Sequence, residues 1–332
     1  MKKLLVLLLT ILLAGTILVG CSQDSTSNEE GAKTYSLKLG NVLADDDPIT
    51  LGMRKMAENV KERTNGEVVI DVYPSSQLGD TANVLEQAIS GSNVGIIIDT
   101  GMLADYVPEM AIYTAPYIFD NVDEARAFIE TDVFAGWNEE LEGHNLRNLS
   151  ANWYQGARHF LTNKPVNTPE DLNGVRVRTM GSRVAQESMT ALGATPTSLA
   201  WSEVYSGLQQ GVIDSAEAQL PAVYGSSLHE VVDYISETGH FYLYTGLVIS
   251  ERWFQTLPEE YQQIVIEESI ANGDYATELT IEKEEEYKQE MQAAGVEFIQ
   301  VDTTPFKEAT ESVYESMGWI ELKARIDAEL GR

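Results

Sequence analysis

Val94-Gly-Ile-Ile-Ile98, closed by Asp99, is the stretch on which the fold turns. A short apolar run that stops at an acid reads as a strand buried on both faces, which is the habit of parallel sheets. The residues before it supply the partners. Tyr35-Ser-Leu-Lys-Leu-Gly40 alternates as a strand, and Val68-Val-Ile-Asp-Val-Tyr73 is a second strand stopped by Pro74. Between the strands, Ile49 to Arg63 has helical periodicity and ends before Asn65-Gly66; Thr81 to Ser90 is a helix closed by Gly91. Strand, helix, strand, helix, strand in one compact stretch is an α/β unit. Asp123 to Glu142 reads as helix and Leu146 to Trp153 as a further strand.

The pattern then restarts. Thr168-Pro-Glu-Asp171 looks like a helix N-terminus, with a cap residue followed by proline. Val175-Arg-Val-Arg-Thr179 alternates as a strand, and Ser182 to Leu192 is helical up to Gly193. Glu203 to Gln210 is a helix ending at Gly211, Val212 to Ala216 a short strand, and Leu243 to Ser250 another strand. Pro258 to Ala294 is one helical stretch interrupted only by Gly273. At 1.5 Å per residue it reaches roughly 50 Å, enough to cross two domains. Val296 to Val301 is a last strand before terminal helices. A chain of 332 residues is ample for two cores.

The N-terminus reads as an address. Lys2 and Lys3 precede an apolar run from Leu4 to Val19, followed by Leu18-Val19-Gly20-Cys21. That order is a secretory signal peptide, shorter than the ~20 apolar residues of a membrane-spanning helix. The small residue before Cys21 resembles the lipobox of bacterial lipoproteins. The resemblance implies cleavage after residue 20, a lipid on the Cys21 thiol and anchoring on the extracytoplasmic face of the cell membrane; the alternative is a secreted chain with an incidental cysteine. Cys21 is the sole cysteine, so no intrachain disulfide forms. Ser22 to Lys33 is polar throughout and reads as a tether.

Composition narrows the partners. With 52 acidic residues against 22 basic ones, the chain carries a formal charge of −30. Loss of Lys2 and Lys3 makes it more negative still. Nucleic acid is excluded as a partner, since no basic surface is available to displace counterions. Catalytic and metal motifs are also missing. His229-Glu230-Val-Val-Asp233 begins like a zinc-protease helix but has Asp233 where the second histidine belongs. The four histidines make no ligand-spaced cluster, and no nucleophile elbow or Gly-rich phosphate loop is present. No cofactor or metal is expected.

Two arginines stand apart from the rest. Arg158 follows Trp153-Tyr-Gln-Gly-Ala157, among aromatics just after a strand. Arg178 sits at the C-terminal end of the strand Val175–Thr179, the end that faces the ligand crevice in open α/β sheets. A guanidinium there either forks two hydrogen bonds onto a carboxylate or makes a surface ion pair.

These residues also carry a family likeness. Asp171-Leu-Asn-Gly-Val-Arg-Val-Arg178, Ala191-Leu-Gly-Ala-Thr-Pro-Thr197, Trp201-Ser-Glu-Val-Tyr205 and Leu208-Gln-Gln-Gly-Val-Ile-Asp214 resemble the DctP-type solute-binding proteins of TRAP transporters. Tyr73-Pro-Ser-Ser-Gln-Leu-Gly79 and Ala115-Pro-Tyr117 match as well, so the likeness runs from about Tyr35 to Phe306. The resemblance implies a two-lobed periplasmic-binding-protein-like α/β fold with hinge crossovers and a long helix spanning both lobes. Residues 1–20 would be the signal peptide and 21–33 the lipidated cysteine and tether. Lobe I would take residues 34–153 plus about 243–280, and lobe II 154–242 plus about 281–332.

It also implies a receptor, not an enzyme, that hands a small organic acid to the small and large membrane subunits of a TRAP permease. Arg178 takes the place of the family's carboxylate clamp and Arg158 that of its second arginine. Trp201 takes the aromatic that packs on the ligand, Asp99 the polar contact after the third strand, and Glu217 a supporting acid. Trp153 and Tyr154 are expected to favour a ring or sugar-like face. Gln155, Gln219 and Asn41 complete the ligand-binding candidates. One departure is evident: Asp214-Ser-Ala-Glu-Ala218 has Ala218 where the family usually has asparagine. The rivals are the binding lipoprotein of an ATP-driven importer and a secreted lipoprotein hydrolase.

Overall fold

The computed structural model describes residues 33–332, so the signal peptide, Cys21 and all but the end of the tether lie outside the described residues. The chain runs β1 (Tyr35–Gly40), α1 (Pro48–Arg63), β2 (Val68–Tyr73), α2 (Thr81–Ile89) and β3 (Val94–Asp99). Next come α3 (Val122–Phe128), α4 (Asp132–Glu142), β4 (Leu146–Thr162), β5 (Arg176–Thr179), α5 (Arg183–Ala191), β6 (Thr195–Ser198) and α6 (Val204–Gln209). The remainder is β7 (Ser215–Gln219), α7 (Leu220–Gly225), β8 (Tyr234–Glu237), β9 (Tyr242–Ser250), α8 (Glu251–Phe254), α9 (Glu259–Ala293), β10 (Glu297–Gln300), α10 (Thr304–Ser316) and α11 (Ile320–Glu329).

All six residues of β3 are buried, as its apolar run requires. It lies between β1, to which it is parallel, and β9, to which it is antiparallel. The two flanking helices are started by acids. Asp47 accepts from the Ile49 amide ahead of Pro48, and Asp80 accepts from the Asn83 amide. Each cap satisfies an amide that the first helical turn leaves open.

The strands follow one path, β2-β1-β3-β9-β4-β7-β5-β6, with β8 on β4 and β10 on β8. β4 is the joint. Its first part pairs antiparallel with β9, and its last five residues pair with β7. The sequence pattern ended this strand at Trp153, because the alternation stops there. The structure carries it through to Thr162 by shifting register between Tyr154 and Ala157. Gly156 sits in that irregularity with φ at +123°, in a region side chains avoid. A Cβ there would also stand 2.7 Å from a Glu284 carboxylate oxygen.

Other differences have local causes. The expected helix 123–142 is two helices, because Thr131 ends one and caps the next by accepting from the Phe134 amide. The helix start at Thr168 closes as a short 3-10 turn, Pro169–Leu172. The strand expected at 212–216 lies at Ser215–Gln219, since Val212 and Ile213 complete the turn after α6 by bonding back to Gly207. β6 and β8 were not anticipated: each is four residues long and carries hydroxyls or acids.

The long helix α9 is held firmly only along its first two thirds. Gly52 of α1 lets the two helices touch, since a Cβ there would come within 2.8 Å of the Ala276 Cβ. Asn59 and Arg63 of α1 both bond to Glu268, at 2.8 and 2.9 Å, and Lys55 lies 3.6 Å from the Tyr275 ring centre. Beyond Thr280, Met291 is the one buried residue of α9. That end leans on α7 through stacked Tyr287 and Tyr224, 4.7 Å apart. The C-terminal helices divide their packing. Phe306 enters the cluster of Phe160 and Val177, whereas Tyr314, Trp319, Leu322 and Ile326 join that of Ile112 and Phe128. None of the helices among the described residues is long and apolar enough to cross a membrane.

Candidate ligand-binding site

The ends of β3, β5 and β7 and the middle of β4 converge on one cavity of about 240 Å³. β3 brings Asp99, β4 brings Gln155 and Arg158, β5 brings Arg178, and β7 brings Gln219. Trp201, at the start of a 3-10 turn before α6, forms part of the wall. Six of the ten expected ligand residues therefore line the same space.

Arg158 is fully engaged. In the β4–β7 register it stands opposite Gln219, two pairs along from Phe160 opposite Glu217. Its guanidinium donates to the Glu217 carboxylate, to the Glu217 carbonyl and to Gln219 Oε1, the last at 2.8 Å. Both members of the ion pair are buried. Burial pushes the Glu217 carboxyl up, but the charge of Arg158 and the nearby His240 outweigh it, and the group is held at about 2. His240 Nε2 lies 3.5 Å from Glu217. Burial lowers the His240 imidazole despite that carboxylate, and brings His159 down to about 3. Behind Arg158, the protein is thus neutral overall.

The Arg178 guanidinium is different. It is 5 % exposed, and it donates twice, at 3.0 and 2.9 Å, to a single carbonyl, that of Leu199. Among the described residues no carboxylate forms an ion pair with it. Its charged end lies 5.2 Å from the Trp201 ring centre, in reach of the ring's negative face. Burial first, and then the charge of Arg158, bring Arg178 down to about 10. It therefore remains a cation at neutral pH, buried without a counter-ion, a state that is costly until an anion arrives.

Asp99 ends β3 and caps the following turn: Oδ1 accepts from the Gly101 amide at 2.8 Å. Oδ2 is buried with no hydrogen-bond partner of sound geometry. Burial raises its carboxyl, opposed by the Gly101 amide, the Thr114 hydroxyl and the charge of Arg158. The two glutamines form a directed chain. Arg158 donates to Gln219, Gln219 donates to Gln155 at 2.8 Å, and Gln155 donates to the Thr245 hydroxyl at 3.2 Å. Thr245 in turn donates to the Trp153 carbonyl.

Four of the expected contacts stand outside the lining. Trp153 is wholly buried in the apolar cluster of Met53 and Ala276, its indole N–H given to Ser150. Tyr154 packs on Tyr244, 5.0 Å away, in the other core cluster of that half-sheet. Both are core residues, on the two opposite faces of β4 just before Gly156. Asn41 is turned inward, donating to Thr50 and accepting from the Leu43 amide. Glu217 stands behind Arg158. Ala218 alternates to the opposite face of β7 and joins the core with Leu161 and Leu220, so it does not border the cavity.

Sequence reasoning missed several lining residues: Met102, Met180, Leu199, Leu243 and Thr245. Thr245 alone carried a signal, as a hydroxyl inside an otherwise apolar strand.

Comparison with known proteins agrees with this geometry. The family of bacterial extracellular solute-binding proteins, family 7 (DctP), matches residues 39–319. The chain belongs to that family. Three solved family 7-like structures are similar along nearly the whole described chain. A TRAP periplasmic solute-binding protein from Escherichia fergusonii, in an apo open form, is 43% identical, covers 88% of this chain and 99% of its own, and has a TM-score of 0.78. One from Ochrobacterium anthropi with bound L-fuconate is 34% identical, with 90% and 99% covered and a TM-score of 0.87. One from Actinobacillus succinogenes with bound L-galactonate is 31% identical, with 89% and 99% covered and a TM-score of 0.86. The fold of this family 7 member is accordingly the two-lobed α/β architecture with a long helix, α9. It overlaps the two ligand-bound structures better than the open one, although the open one is nearer in sequence.

Proposed function

We propose that this family 7 protein is the extracytoplasmic receptor of a TRAP-type transporter and that it binds a small carboxylic acid of the sugar-acid class. The observation that carries the reading is Arg178, a buried cation in a cavity of mixed polar and apolar walls, with no carboxylate of its own among the described residues. A ligand carboxylate supplies the missing charge and accepts the bidentate fork that guanidinium geometry offers. Gln155, Gln219, Asp99, Thr81, Ser198 and Thr245 suit hydroxyls, and Trp201 gives an apolar face. No bond is made or broken; the work is capture and release to the small and large membrane subunits.

One lobe is built on β1, β2, β3 and the first part of β4, the other on β5 to β8 and β10, and α9 with the C-terminal helices spans both. Closing the cleft buries Arg178 more deeply, so closure is favoured by the anion's differential affinity for the closed form. The better overlap with ligand-bound neighbours supports placing the described conformation near the closed form.

A thermal-shift screen of organic and sugar acids, followed by calorimetry, tests the reading. A ligand at 100 Kd adds about 2.7 kcal/mol of stability. If no acid in a broad panel shifts the melting temperature, while denaturation stays cooperative, the receptor reading fails. Anchoring through a lipid on Cys21 is part of the same reading. Cys21→Ser should move the protein from the membrane fraction to the soluble one with unchanged melting; retention on membranes after a high-salt wash contradicts the anchor.

A further inference from the structure

We propose that the cavity is matched to a single negative charge: it accepts a monocarboxylic polyhydroxy acid and rejects the same skeleton bearing a second carboxylate or a phosphate, with Asp80 and Asp99 setting the limit. The inference rests on the carboxylate reading and narrows it.

Four charged side chains border the cavity: Asp80, Asp99, Arg158 and Arg178. Arg158 is cancelled by Glu217 at hydrogen-bonding contact. The imidazoles near that pair, His159 and His240, are both depressed by burial and add no charge at neutral pH. One cation, Arg178, is left for a ligand.

The acids sit on the other side of the chain's division. Asp99 ends β3 and Asp80 precedes α2, whereas both arginines come from β4 and β5. The buried Asp99 Oδ2 has no hydrogen-bond partner of sound geometry; the carboxyl suits a hydroxyl in either protonation state and repels an anion when ionised. Its protonation does not alter the count. As a carboxylate it carries a negative charge, and as a carboxylic acid it is neutral; in neither state does it offer a second cation. The remaining polar lining, Thr81, Gln155, Ser198, Gln219 and Thr245, is uncharged. The amide chain from Arg158 through Gln219 to Gln155 leaves each NH2 group one further hydrogen, again a match for hydroxyls. An acid whose carboxylate lies on Arg178 must therefore turn its other end toward neutral dipoles and two acids. A second anionic group there finds no cation to pair with, and meets like charge at each of the two acids that is ionised.

Calorimetry at pH 7.5 on the mature protein decides this, with L-galactonate, L-fuconate and D-glucuronate as monoanions. Galactarate, in which a carboxylate replaces the terminal CH2OH of galactonate, succinate and sn-glycerol 3-phosphate are the dianions. Like-charge juxtaposition predicts that galactarate binds at least about 30-fold more weakly than L-galactonate. A smaller ratio, or tighter binding of succinate or the phosphate than of every monoanion, overturns the charge limit and leaves the receptor reading standing. Absence of binding by all six removes the receptor reading and this inference with it. The variant Asp80→Asn/Asp99→Asn, whose amide oxygen can still accept from Gly101, should reduce the galactonate-to-galactarate ratio by at least about tenfold, the size of a removed charge contact. An unchanged ratio in a variant that melts normally means that the two acids do not set the limit.

Discussion

Arg158 and Arg178 border the same cavity from β4 and β5, the two strands that flank β7, and both are buried. Arg158 has a carboxylate, a carbonyl and an amide oxygen around it, all from β7. Arg178 has one backbone carbonyl and an aromatic face. The difference separates two uses of the same side chain. An ion pair completed by the protein contributes to folding, and removing its partner is expensive. A cation left incomplete contributes nothing to the empty fold and stores its favourable interaction for a ligand. Substitutions on the two sides should therefore move different observables.

The largest effect is expected at Arg178. Arg178→Ala should weaken binding of an acid found by screening by about 3–5 kcal/mol, a hundred- to several-thousand-fold, because the ligand's anion is left unpaired. The empty protein should melt no lower than wild type, since an uncompensated buried charge has been removed. Arg178→Lys should also bind poorly, as an ammonium cannot reproduce the fork. Wild-type affinity in Arg178→Ala, measured calorimetrically, would erase the contrast between the two arginines.

On the paired side the loss should appear in stability. Glu217→Ala leaves Arg158 buried without its counter-ion and should destabilise the empty protein by about 3 kcal/mol in denaturant titrations. A variant as stable as wild type would show that Arg158, too, is held in readiness for the ligand.

How far the sequence led to this contrast depends on what each residue's signal measured. Both arginines were legible because strand ends and motif spacing mark position along the chain. The apolar run Val94–Ile98 was legible because burial on both faces leaves a pattern. Trp153 and Trp201 looked equivalent in sequence. Their separation into core and cavity is a matter of tertiary placement: Trp153 lies on β4 inside an apolar cluster, whereas Trp201 opens a turn at the cavity wall. The incompleteness of Arg178 was also beyond the sequence: with 52 acids in the chain, only the structure shows that none among the described residues pairs with it. Ala218 looked like a lost ligand contact because a motif is linear. In the strand it alternates to the core face, while Glu217 and Gln219 face Arg158.

A third test uses pH to titrate the paired side. His159 packs near Arg158 and is lowered from 6.5 to about 3, so the unfolded chain binds a proton that the native one refuses. Stability from this group is full above pH 6.5 and falls as pH drops through the window down to about 3. At pH 5 the loss amounts to about 2 kcal/mol. Glu217, lowered from 4.5 to about 2, adds a second loss below pH 4.5. Asp47 and Glu284, both raised to about 7, work in the opposite sense, since the native state holds their protons more tightly. The His159 share is therefore read as a difference. Between pH 7.5 and 5, His159→Gln should lose about 2 kcal/mol less than wild type in urea titrations. Parallel pH profiles would mean that the imidazole is solvated and the paired side is not sealed.

The smallest effects belong to Trp201, which joins the two sides by lying against Arg178 while its indole N–H is anchored on the Ser226 hydroxyl, 3.0 Å away. Trp201→Ala removes an apolar face from the cavity and the ring beside the free cation, and should cost about 2 kcal/mol of binding. Trp201→Phe separates the two roles. It keeps an aromatic face for Arg178 and the ligand but gives up the anchor, a hydrogen bond worth about 1 kcal/mol at a partly exposed site. If the ring's face is what matters, the phenylalanine variant should bind within about fivefold of wild type, and Ser226→Ala should match it. If Ser226→Ala instead falls to the level of Trp201→Ala, the anchor rather than the face carries the contribution. Trp201 would then be a positioning residue that acts on Arg178 through the orientation of its ring.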